Sequence, residues 1–166
     1  MRRSRPSLSG PMNAIFAALL VAMSAGKDQA LHLYELNPKT GALVQRAKYD
    51  LPGSPGSQCV SPDGNTLYVS VRSANSVAAF RIDHGKKMLV PLGMTEIGAN
   101  AAYVATDRTG RTLLWASYSG GVVGSHAIGR NGAVIKNPLS VIETARCAHA
   151  ILPDASNQFA FVPHTG

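Results

Sequence analysis

"VSPDGNTLYVSVRSANSVAAFRID", residues 60–83, lies without a gap over "TDRTGRTLLWASYSGGVVGSHAIG", residues 106–129, at an offset of 46. Gly64 meets Gly110, Thr66 meets Thr112 and Leu67 meets Leu113. Val69 meets Trp115, Ser73 meets Ser119 and Val77 meets Val123. Each copy reads as two strands rich in β-branched and aromatic residues, joined by a tight turn such as Ser73-Ala74-Asn75. Both faces of "LYVSV" are apolar or small, the pattern of a sheet covered on each side.

A short strand precedes each "PDG"-type turn, at 57–61, 103–107 and 149–153. A more polar strand follows each pair, at 42–50, 88–97 and 133–143. Four strands in a period in the forties mark a blade of a β-propeller. Pro91 and Pro138 fall in the fourth strand, where an outer edge tolerates the missing N–H.

The same step extends both ways. Forward, Leu67 and Leu113 meet Phe159, Val69 and Trp115 meet Phe161, and Ser156 takes the glycine position. Backward, Leu67-Tyr68-Val69 falls on Val21-Ala22-Met23, and residues 76–83 fall on 30–37. The expected fold is therefore all-β, with four-stranded antiparallel blades. It comprises a first blade without its innermost strand, two complete blades and half of a fourth. Propellers close with about four to eight blades. Three and a half blades leave open flanks, so missing C-terminal blades or a self-association partner are expected to cover them.

"AIFAALLVAMSAG" (14–26), after a basic start, has two readings. It fits a secretory signal peptide. Leu19 to Met23 also fill the strand slot that the repeat requires. The strand reading implies a basic, disordered extension over 1–17, a propeller domain over 18–166 and a cytoplasmic protein. The signal-peptide reading implies a periplasmic or secreted one. Translation starting at Met12 is a third possibility. The apolar run is too short and broken for a spanning helix, which needs about 20 residues, so no membrane association is expected.

The composition suits a globular chain, with 45% apolar and 15% charged residues. The net charge of +7 includes Arg2, Arg3 and Arg5 in the N-terminal stretch. Basic residues do not cluster with aromatics, so nucleic acid is not an expected partner. Cys59 and Cys147 form no CxxC pair and read as buried thiols rather than a bridge. GxxxxGK[ST], HExxH and GxSxG motifs are absent, and no metal-ligand cluster stands out.

The repeat also selects candidate site residues. The first residue of the innermost strand recurs as Ser57, Tyr103 and His149. A second set, Arg72, Tyr118 and His164, ends the next strand. Chemically different polar residues at matching places suit a shared rim or channel better than a core. His149 also reads as a structural histidine, Arg72 as a solvated turn residue and Tyr118 as inter-blade packing. His32, His84 and His126 lie outside both registers.

Residues 53–83, 105–128 ("ATDRTGRTLLWASYSGGVVGSHAI") and 147–166 ("CAHAILPDASNQFAFVPHTG") resemble, in order, successive blades of the lactonase-type seven-bladed propellers. These include cycloisomerase-like 6-phosphogluconolactonases and 3-carboxymuconate lactonizing enzymes. The resemblance implies metal-free, cofactor-free chemistry on a small lactone or phosphorylated sugar acid in a central funnel. It implies His149 as the catalytic base, with Arg72 and Tyr118 binding substrate; Tyr103 and Ser57 are expected to join them on the strength of the repeat register. Two departures stand out. Tyr103 replaces a His common in the family, and the Arg and Glu of later blades are absent. The expected function is lactone hydrolysis. A lactonizing cycloisomerase and a non-catalytic propeller scaffold are the alternatives.

Overall fold

The computed structural model describes residues 19–165; the expected N-terminal extension lies outside them. Thirteen strands follow one another: β1 Leu19–Ala25, β2 Ala30–Leu36, β3 Leu43–Asp50, β4 Pro55–Val60, β5 Thr66–Val71, β6 Ser76–Asp83 and β7 Met88–Glu96. They continue as β8 Tyr103–Thr106, β9 Thr112–Ser117, β10 Val122–Ile128, β11 Val134–Glu143, β12 Leu152–Pro153 and β13 Ala160–Phe161. They form four antiparallel sheets in the orders β1-β2-β3, β4-β5-β6-β7, β8-β9-β10-β11 and β12-β13. The partial first blade, two full blades and half-blade are those the repeat implies. Leu19–Ala25 is a strand, paired residue for residue with Ala30–Leu36.

Apolar side chains alternate along each middle strand and build a core at each blade boundary. Leu67, Val69 and Val71 of β5 pack with Leu31 and Leu33 of the first blade. Tyr68, on the other side of β5, packs with Leu113 and Trp115 of the third. Ala116 and Val123 pack with Ala148 and Ile151 of the fourth. Every residue of β5 is consequently buried. Polar bonds add to this stacking. Tyr68 Oη donates to Gly132 O at 3.0 Å, and Thr95 Oγ1 donates to Val134 O at 2.8 Å. Lys87, in the His84–Lys87 turn, reaches Glu35 Oε1 at 2.6 Å. Glu35 also accepts from Arg46 Nε at 2.6 Å, and these two cations hold its carboxyl below the usual range.

The third and fourth blades are tied through Asp107 and Asn157, whose side chains bond at 3.0 Å. Burial opposes ionisation of Asp107. Bonds from Thr109, Thr112, Asn157 and Arg111 outweigh it and hold the carboxyl at about 2.

The fourth copy is displaced by one residue from the expected register. Ser61 N–Thr66 O and Asp107 N–Thr112 O close equivalent hairpins 46 residues apart. The next such bond is Asp154 N–Phe159 O, 47 residues on. The left-handed place held by Gly64 (φ 74°) and Gly110 (φ 69°) is therefore taken by Asn157 (φ 60°), not Ser156. Asn tolerates that conformation better than Ser. The extra residue lies between His126 and Pro138. Pro138 sits opposite His126 as Pro91 sits opposite Phe80, but a second register shift follows in the third blade. A bulge accommodates one added residue in this way. Phe159 and Phe161 consequently do not hold the places of Leu113 and Trp115, and both are exposed.

The cysteines also depart from expectation, since neither is fully buried. Cys59 packs against the second core, and burial pushes its thiol up to about 12. Cys147 sits at φ 65° in a loop.

Candidate functional site

Strand β5 runs into a single 3₁₀ turn, Arg72–Ala74, closed by Asn75 at φ 47°. The matching residue in the next blade is Gly121, at φ 58°. These tight turns end the strands at one rim and place Arg72 and Tyr118 there, both exposed. Gly56 leaves room for the Arg72 side chain, since a Cβ there would lie 2.6 Å from Arg72 Cδ. Arg72 Nε donates to Asn100 Oδ1 at 2.9 Å, across the boundary between the second and third blades. That bond fixes the guanidinium plane. Its two Nη groups have no protein partner among the described residues.

One blade further round, Tyr118 and His149 meet edge-on, with centroids 5.6 Å apart and planes at 76°. This contact follows from the displaced register. His149 N donates to Pro163 O, as Ala102 N donates to Ala116 O in the preceding blade. His149 thus holds the place of Gly56 and Ala102, not that of Ser57 and Tyr103. Successive strand residues face opposite sides, so His149 faces back toward the third blade, where Tyr118 lies. His164 shifts likewise, since Thr165 N bonds Cys147 O as Arg72 N bonds Ser54 O. Thr165, not His164, matches Arg72 and Tyr118. His164 instead donates from Nδ1 to Arg146 O, at 3.0 Å.

Ser57 and Tyr103 are engaged between blades. Val104 N donates to Ser57 Oγ at 3.2 Å, stitching the second blade to the third. Tyr103 packs on the Ala116, Val123, Ala148 and Ile151 cluster. Of the six residues singled out from the sequence, the structure brings Tyr118 and His149 together and places Arg72 on the adjacent blade. Asn100 was missed. Its only signal is a lone amide inside "GANAA". His126, outside both registers, is a fully buried strand residue, with Nδ1 2.9 Å from Ile135 O.

No group of three or more His, Cys, Asp or Glu is placed to hold a metal ion among the described residues. Nor is any helix among them long and apolar enough to cross a membrane.

Comparison with known proteins places this architecture. The chain is 34% identical over 144 residues to the 6-phosphogluconolactonase of Erwinia tasmaniensis, covering 87% of this chain and 43% of that protein. Identity to the Serratia proteamaculans 6-phosphogluconolactonase is 31%, with the same coverage. The chain thus spans about two fifths of the length of these relatives. Among solved structures, a Bacteroides uniformis protein superposes with a TM-score of 0.77 at 12% identity, over 87% of this chain and 44% of that one. The periplasmic gluconolactonase of Pseudomonas aeruginosa gives 0.67 at 20% identity, over 72% and 35%. The model of the seven-bladed β-propeller lactonases matches residues 18–166, and with these blades in this order the chain belongs to that family.

Proposed function

We propose that this chain supplies the binding rim and the general base of a propeller lactonase acting on a phosphorylated sugar lactone of the 6-phosphogluconolactone type. The observation that carries the reading is the pairing of Tyr118 with His149 one blade away from an anchored Arg72. Imidazole is the side chain best suited to take a proton from water near neutral pH. His149 removes that proton as the water oxygen attacks the lactone carbonyl. Tyr118 holds the imidazole by its ring edge, and its hydroxyl is a donor for the oxyanion that develops. Collapse breaks the ring C–O bond, and the departing oxygen takes the proton back from His149. Arg72 binds the phosphate with its Nη groups, a task for which a planar fork is suited.

The relatives' names and the matched blades support the substrate class. Ser57 and Tyr103 have a structural part in this reading. The remaining blades come from further sequence or a second copy. The strand formed by Leu19–Ala25 supports a mature chain that keeps this segment, and hence a cytoplasmic setting. Sequencing the mature N-terminus decides this, and a start after Ala25 would contradict it.

Arg72 and Asn100 give the direct test. In the intact protein, Arg72→Gln is expected to raise KM for the phosphorylated lactone about tenfold or more, with a smaller change in kcat. Asn100→Ala is expected to do the same more weakly, because it frees the guanidinium without removing it. An unchanged KM in Arg72→Gln rejects the clamp.

A further inference from the structure

At the opposite end of the same strands lies a cleft of about 420 Å³ between the second and third blades. Thr66 borders it, whereas Val71 leads into the candidate site. Five strand steps separate those two residues, about 17 Å. Three arginines line the cleft: Arg81 from β6, Arg111 from the turn before β9, and Arg130 from the turn between β10 and β11. Arg111 Nε spends one bond on Thr109 Oγ1, at 3.3 Å. The side chains of Arg81 and Arg130 have no protein partner among the described residues.

Asp63 is the single carboxylate on the lining, and it is already committed. It accepts from Ser61 Oγ at 2.5 Å and from Asn65 N and Nδ2 at 3.1 Å each. Three like charges around one hollow repel each other unless an anion joins them. The floor is Tyr68, held by its bond to Gly132 O, and Ile128.

We propose that this cleft is a second binding site, distinct from the catalytic rim, that takes a polyphosphate group shared among Arg81, Arg111 and Arg130. Guanidinium groups from three elements suit the several oxygens of such a ligand. The site does not depend on the lactonase reading.

Calorimetric titration of the intact protein with inorganic pyrophosphate, at fixed ionic strength, tests it. The expected result is saturable one-to-one binding. Arg130→Ala and Arg111→Ala each weaken it about tenfold or more. Arg72→Ala, at the other rim, leaves Kd within about twofold of the unmodified value. Arg130→Lys keeps the charge and recovers part of the loss. That recovery separates lost charge from lost folding, which far-ultraviolet circular dichroism checks independently. Three results overturn the site: no saturable binding, binding indifferent to both Arg130→Ala and Arg111→Ala, or binding lost on Arg72→Ala alone.

Discussion

Replacing His149 with Ala in the intact protein is expected to lower kcat for lactone opening by about 10²- to 10⁴-fold, the usual contribution of a positioned general base. His149 sits on an exposed rim, its backbone is held by Pro163 O, and the edge of Tyr118 lies against it. A purely structural histidine on an exposed rim predicts a stability change with little loss of turnover. Tyr118→Phe separates the two contributions of its partner. It keeps the ring contact and loses the hydroxyl, so it is expected to cost less than His149→Ala. Turnover unchanged in His149→Ala would remove this residue from the mechanism. Spontaneous hydrolysis of the lactone must be subtracted in every case.

The largest effect on stability is expected at Trp115. Its side chain is 1% exposed and is the largest wholly buried one among the described residues. The indole lies directly against Gly124 on the neighbouring strand, leaving no room there for a Cβ. Trp115→Ala is expected to cost about 3–5 kcal/mol, a large part of the roughly 5–15 kcal/mol that holds a domain together. Gly124→Ala drives a methyl group into the ring and is also destabilising, by about 1–3 kcal/mol. The two changes are not additive. With the indole gone, the methyl group introduced by Gly124→Ala fills part of the vacated space, so the double variant is expected to be more stable than the sum predicts. Urea denaturation of the four proteins measures this coupling. Additive losses would mean that the ring and the glycine do not share the space described.

Much of this molecule is legible in the chain because packing repeats. Each middle strand must bury both faces against neighbouring blades, so Leu67, Tyr68 and Val69 recur in kind as Leu113, Leu114 and Trp115. The tight turns recur for the same reason, with Asn75 and Gly121 in the same left-handed conformation. Leu19–Ala25 becomes readable as a strand only through that register, since its own composition also fits a leader.

One added residue leaves no mark on the sequence pattern. The addition between His126 and Pro138 sits in an edge-strand hairpin, where a bulge absorbs it at little cost and the apolar pattern records nothing. Asn157 then serves where glycine stood, which hides the slip again. The consequence is specific. His149 moves from the face that carries Ser57 and Tyr103 to the face that meets Tyr118. Asn100 was invisible for a different reason. Its bond to Arg72 spans 28 residues and two blades, and no local periodicity encodes such a contact.

In the proposed mechanism Arg72, Tyr118 and His149 share one substrate. A crystal structure of the intact protein with 6-phosphogluconate, the acid formed by opening the corresponding lactone, tests it most directly. The phosphate is expected within hydrogen-bonding distance of the Arg72 Nη groups and the carboxylate beside His149 and the Tyr118 hydroxyl. A ligand bound elsewhere in the ring, with these three side chains still facing solvent, would contradict it.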